Sequence, residues 1–265
     1  MRLHGLIIDP QEDFCNPHGS LFVPGADGDM TRLAAMVRRL QTQIEALHVT
    51  LDSHHTIDIA HPVWWQDASG NHPAPFTIIS AEEVESGKWT ASNPLARERS
   101  QQYVQHLAVN GRYPLCIWPY HCLIGTAGHA VVPELHKALS NWESTALAPV
   151  DYVTKGSNIW TEHYSALRAD VPDPTDPSTL PNEKLIQALR EADLVFVAGE
   201  AGSHCVANTV RDIVEAFGDP ALLLKLVLIT DATSPVTGFE ALQKQYLADM
   251  AALGLKTATT TDFLA

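Results

Sequence analysis

Cys205 ends the run Val197-Ala198-Gly199-Glu200-Ala201-Gly202-Ser203-His204, which passes from an apolar segment through small residues into a helical pattern. A cysteine so placed sits at or beside a helix N-terminus. There the positive end of the helix dipole lowers the thiol pKa and favours thiolate, the nucleophilic form. Small residues in the turn let backbone N–H groups approach a carbonyl oxygen, which oxyanion stabilisation requires. The competing reading is a buried thiol that packs the helix start, the common fate of an arbitrary cysteine. Asp9 follows the apolar run Leu6-Ile7-Ile8, where a carboxylate is costly unless exposed or paired. It reads either as a turn former ahead of Pro10 or as a general base for a thiol. Lys155 closes a further apolar segment. A lone lysine there is commonly a solvated charge, but beside Asp9 and Cys205 it would hold the carboxylate ionised and stabilise negative charge.

A second constellation could bind metal. Asp52-Ser53-His54 places a carboxylate and an imidazole two residues apart, so an extended segment projects both to one side. His121 follows a later apolar run, and His55 and His61 are further candidates. One carboxylate with two or three imidazoles suits zinc, iron or manganese, with water completing the shell. With 13 histidines in the chain an isolated Asp-x-His pair arises easily by chance, so its weight comes from its place at a strand end. The four cysteines, Cys15, Cys116, Cys122 and Cys205, form no Cys-x-x-Cys pair and are too scattered for a disulfide framework, which leaves free thiols.

These residues need elements to hold them. Short apolar runs alternate with longer helical patterns. Strands are predicted at 6–8, 48–51, 114–117, 150–154, 194–198 and 226–230, with a short last one near Thr257. Helices are predicted at 30–47, 131–142, 204–217 and 238–253. Such alternation implies an α/β fold: a three-layer α-β-α sandwich around a mainly parallel sheet of six strands, Rossmann-like in its winding. In such sheets ligands sit outside the carboxyl ends of the strands. Asp9, Asp52, His54, Trp118, His121, Lys155 and the turn before Cys205 all fall there. Residues 56–96 carry Trp64, Trp65, Phe76 and Trp89 among several prolines and read as a long inserted loop region with its own packing surface. Residues 170–182 read as an exposed loop. One domain over 1–265 accommodates all of this.

Composition narrows the function classes. The chain has 265 residues, 45% of them hydrophobic, enough for a large core. The net charge of −14 disfavours nucleic acid and anionic membranes as partners, since both would be repelled. No apolar run approaches a membrane span, and the start lacks the charged and apolar regions of a secretion signal, so a cytoplasmic protein is expected.

Taken in order, five runs resemble the nicotinamidase and isochorismatase-like cysteine hydrolase superfamily. They are Ile7-Ile8-Asp9-Pro10-Gln11-Glu12-Asp13-Phe14-Cys15; Asp52-Ser53-His54; Trp118-Pro119-Tyr120-His121-Cys122 with Gly125-Thr126-Ala127-Gly128; Lys155-Gly156; and Gly199 to Val206. No single run is decisive, but their order spans most of the chain. The resemblance implies a catalytic triad of Asp9, Lys155 and Cys205, and an oxyanion hole from the N–H groups of Ala201 and Cys205. It also implies a cis peptide between Glu200 and Ala201, and aromatic pocket walls from Phe14 and Trp118. Asp52, His54 and His121 match the metal ligands of the nicotinamidase branch, and His61 matches a fourth ligand of some members. Zinc is the expected divalent metal, with iron or manganese as alternatives. In that branch the metal binds a pyridine nitrogen and sets the amide against the cysteine. The implied activity is hydrolysis of a small carboxamide, nicotinamide first, to carboxylate and ammonia through a thioester. Superfamily members often form homo-oligomers, and one is expected here.

The chain also departs from that pattern. The stretch between His54 and His121 is longer than in nicotinamidases. Ser203 stands where many relatives carry an acid, and Asp-Ser-His-His replaces the commoner Asp-x-His-Pro. Three rival readings follow: a related hydrolase of another amide, ureide or carbamoyl substrate; vinyl-ether hydrolysis of the isochorismatase kind; and a catalytically silent binding protein.

Overall fold

Leu3–Ile8 is buried at every position, and Leu226–Ile229 likewise. Strands without a solvent face belong inside a parallel sheet covered on both sides. A computed structural model of the chain describes residues 1–265, the side chain of Pro220 apart, and builds such a sheet. Its strands are β1 (Leu3–Ile8), β2 (Ile44–Asp52), β3 (Asp151–Lys155), β4 (Leu194–Gly199), β5 (Leu226–Ile229) and β6 (Lys256–Ala258). Every neighbouring pair is parallel, in the order β6-β5-β4-β1-β2-β3. The chain therefore runs outward from β1 to β3, then returns to the other side of β1 with β4. That reversal places the topological switch point between the ends of β1 and β4, where doubly wound sheets bind ligands.

The main helices are α1 (Ala26–Leu40), α2 (Arg97–Val109), α3 (Pro133–Ala146), α4 (Glu183–Glu191), α5 (Cys205–Phe217) and α6 (Glu240–Ala252). α1 packs on α3, and α4 on α5. The stripe Met30, Leu33, Val37 and Leu40 faces the core as its three- and four-residue spacing requires. Among the described residues, no helix is long and apolar enough to cross a membrane.

Two sequence expectations fail. The predicted helix to Leu47 stops at Leu40, and Ile44 to Leu47 open β2. Ile44 and Leu47 continue the helical spacing, but they also fall on buried positions of a strand that pairs with Leu3 and Gly5. Short apolar runs serve either period, and here strand pairing decides. The expected strand at 114–117 lies outside the main sheet. Only Leu115–Cys116 is extended, pairing antiparallel with Ile78–Ile79 of the insertion. Pro114 and Pro119 bracket the run and supply no N–H groups for a central ladder. Within the insertion, Trp65–Gln66 pairs with Thr90–Ala91. Trp64 and Trp65 are buried and donate their indole N–H groups to Ser100 and to the Ile59 carbonyl.

Candidate active site

Asp9 leaves the C-terminal end of β1 with φ of 42°, in the left-handed region that Asp tolerates better than most residues. Its Oδ1 accepts from the Thr50 hydroxyl at 2.5 Å, and its backbone N–H donates to the same oxygen at 3.0 Å. Its Oδ2 lies 2.9 Å from Lys155 Nζ. Lys155 ends β3 and is buried. Its ammonium also lies 3.0 Å from Asp52 Oδ1, 3.0 Å from the His163 carbonyl and 3.6 Å from Cys205 Sγ. Three strand ends and one helix start thus converge on one ammonium. Two carboxylates around a single lysine give the cluster a net negative charge before any metal is counted.

Cys205 is the first residue of α5. The turn before it contains a cis peptide between Glu200 and Ala201. Among the described residues, neither the Ala201 nor the Cys205 N–H donates to a protein acceptor, while Gly202 and His204 between them do. Two free donors therefore flank the sulfur. The thiol itself departs from expectation. Burial pushes its pKa well up, with Lys155 opposing and Asp9 and Asp52 adding to the rise. The helix N-terminus is outweighed by loss of water and by two carboxylates, so the proton stays on sulfur at rest. Burial likewise raises Asp9 against the pull of Lys155. Burial would lower Lys155, but Asp52 and Asp9 hold it well above its usual value.

The second constellation adjoins the first. One ligand atom each from Asp52, His54 and His121 lies within 4.8 Å of the others. Asp52 Oδ2 is 3.1 Å from His54 Nε2 and 3.4 Å from His121 Nε2. The far nitrogens fix the tautomers. His54 Nδ1 faces Asp58 Oδ2 at 3.0 Å, and His121 Nδ1 faces the Pro119 carbonyl at 2.8 Å. Both partners only accept, so both Nδ1 atoms carry hydrogen, and both Nε2 atoms face one carboxylate oxygen. Such an arrangement calls for a cation between them. Burial would lower His54, but Asp52 and Asp58 raise it well above its usual value, and a field that draws in a proton also draws in a metal ion. His61 lies beside this set without falling within the same 4.8 Å group. Its Nδ1 faces the His55 carbonyl at 3.0 Å, its ring centroid is 5.3 Å from that of His54, and its buried Nε2 has no partner. Burial lowers its pKa to about 4, which keeps the ring neutral with that lone pair free. His55, by contrast, is exposed and supplies only its carbonyl. The residues present therefore fit a divalent cation.

Phe14 and Trp118 line one pocket with Cys205, together with Leu21, Tyr164, His204 and Val236. Sequence reading missed three polar participants. Asp58 orients His54. Gln11 ties the strand ends together, its amide bridging Asp52 through both backbone groups at 2.7 Å. Glu162 lines the pocket with a buried carboxyl whose Oε2 has no partner. Burial pushes its pKa up to about 8, with His54 opposing and Asp58 adding. Seven residues past Lys155 in an irregular loop, Glu162 carries no periodic signal, so only the fold reveals it.

Solved structures share this α/β winding along nearly the whole chain. The yeast nicotinamidase bound to nicotinaldehyde superposes with a TM-score of 0.66 at 17% identity, over 97% of this chain and 99% of that one. An Acinetobacter baumanii nicotinamidase/pyrazinamidase gives 0.64 at 21%, over 98% and 97%. The Pyrococcus horikoshii pyrazinamidase in complex with zinc gives 0.57 at 18%, over 98% and 99%. No family model matches the sequence, and no curated protein does. The chain thus has the nicotinamidase fold along nearly its whole length.

Proposed function

We propose that this chain is a cysteine amidohydrolase of the nicotinamidase kind, which cleaves a small aromatic carboxamide, nicotinamide first, to carboxylate and ammonia. The observation that carries the reading is the sharing of one buried ammonium, Lys155, by Asp9, Cys205 and the metal-type carboxylate Asp52. The fold shared with nicotinamidase and pyrazinamidase structures supports it.

Asp9 takes the proton from the Cys205 thiol as sulfur attacks the carboxamide carbon. Its raised basicity suits it to a thiol that is not ionised at rest. The Ala201 and Cys205 N–H groups receive the oxyanion. Collapse expels ammonia, which takes its proton from Asp9, and leaves a thioester. Water then gives a proton to Asp9 and attacks the thioester carbon. Release of the carboxylic product returns that proton to sulfur. Lys155 favours the ionised form of Asp9 whenever it is to accept a proton. Asp52, His54, His121 and His61 would hold a divalent metal, zinc by their donor set and by the zinc-bound neighbour. When bound, the metal supplies a Lewis-acidic anchor for a ring nitrogen. Phe14 and Trp118 sandwich the ring and exclude water.

Ammonia release from nicotinamide, pyrazinamide and a set of ureides tests the reading. Wild-type protein is expected to release ammonia from the aromatic amides, and Cys205→Ala to lose about 10³-fold or more in kcat. Full turnover by Cys205→Ala, or release from ureides alone, would overturn it.

A further inference from the structure

The catalytic pocket leaves a cavity of about 20 Å³. That is roughly the room of one water molecule, so any aromatic amide must displace a wall. Phe14, Leu21, Trp118, Val236 and Tyr164 all belong to the buried core. Tyr164 and His204 differ, because they also line a second cavity of about 350 Å³ on their far side. Its other walls are largely apolar and include Ile78 of the insertion, Cys116, Phe239, Ala241 and Leu242. The partition is a stack of rings in mutual contact. His204 lies 5.3 Å from Tyr164, 5.1 Å from Trp118 and 4.8 Å from Phe239, centroid to centroid. The Tyr164 hydroxyl accepts one bond at 3.0 Å, from the Trp118 indole, and His204 is tied through Nδ1 to Ser203 Oγ at 2.9 Å. Burial lowers the His204 pKa to about 3, so its ring is neutral and joins the apolar wall.

From these two cavities we infer that the outer chamber is the second half of the substrate site, into which Tyr164 yields, and that the enzyme takes aromatic carboxamides carrying an apolar substituent on the ring edge turned away from Cys205. The inference rests on the amidohydrolase reading and deepens it. Three features support this occupant: walls shared with the catalytic pocket, their apolar character, and a size well beyond one methyl group. Ile78 brings the insertion into the chamber wall.

The test compares kcat/KM for nicotinamide with kcat/KM for nicotinamides bearing methyl, isopropyl or phenyl on each free ring carbon, using wild-type protein and Ala241→Trp. Ala241 is exposed at the chamber's edge, so the indole fills the chamber without burdening the core. At least one ring position is expected to accept the larger groups. Ala241→Trp is expected to lower kcat/KM for those substrates by about tenfold or more beyond any loss it causes on nicotinamide, which needs the chamber only for the displaced Tyr164 ring. Ala241→Ser, a size control, is expected to behave as wild type. Turnover of nicotinamide without any substituted amide would overturn the inference and leave the amidohydrolase reading intact. An equal loss on small and large substrates in Ala241→Trp would also overturn it, since the chamber would then be relief space only. Failure on every amide would overturn both.

Discussion

A thiol at a helix N-terminus is ordinarily acidified, yet Cys205 holds its proton because burial and two carboxylates outweigh the dipole and Lys155. The proposed mechanism therefore passes the proton to a base at the moment of attack, a task that suits Asp9, raised by the same burial. Residue identity could suggest these partners, but only burial decides where the proton rests. Glu200 shows the same physics beside the oxyanion turn. It is fully buried, accepts from Ser234 N at 3.0 Å, and is pushed well above its ordinary 4.5 first by burial and then by Asp29. An acid raised on folding lends stability that is complete below its unfolded pKa and is lost as pH rises toward the folded one. Glu200→Gln, neutral at every pH, is accordingly expected to match wild type near pH 4 and to exceed it in stability at pH 8. Urea unfolding at both values checks this, and a difference that grew toward acid would refute it.

At the scale of elements, the turn from β4 to α5 sets the positions of Cys205 and of the two unpaired N–H groups of Ala201 and Cys205. Gly199 has φ of 111°, and a Cβ there would meet the backbone of Ile8 on the paired strand. The close approach lets Glu200 N donate to the Ile8 carbonyl at 2.8 Å, which locks the turn to the residue before Asp9. Gly199→Ala is expected to cost about 3 kcal/mol or more, read as a lower urea midpoint at unchanged m-value. The strands bearing Asp9, Asp52, Lys155 and the Cys205 turn were legible because buried parallel strands read as unbroken apolar runs between turn residues. The stretches at 44–47 and 114–117 were not. Their apolar residues fit two periods or lie between prolines, and partner strands far along the chain settle which state wins.

For the molecule as a whole, the order β6-β5-β4-β1-β2-β3 gathers residues from positions 9 to 205 at one sheet edge. The metal set links that edge to the insertion through His54, Asp58 and His61, so loading should stabilise the entire fold. Zinc held at 100 times its Kd is expected to add about 2.7 kcal/mol, a rise in Tm of roughly 5 °C over chelator-treated protein. Asp52→Ala is expected to abolish the rise, and an undiminished shift in that variant would remove this site as its cause.

By itself the sequence determined the layered α/β fold, the strand ends that carry Asp9, Asp52, Lys155 and the Cys205 turn, and a candidate metal set. Those features depend on local period and on chain order, which one strand or turn displays alone. The tertiary structure decided what depends on distance through space. It buries the His61 ring beside the candidate metal set and leaves His55 exposed, although both lie in the same irregular loop. It brings Asp58 and Glu162 to the pocket and keeps the thiol protonated. It also sets a second chamber behind Tyr164 and His204. No periodicity governs side-chain direction in those loops, and desolvation is a property of everything packed around a group, so neither could be read until the chain was folded.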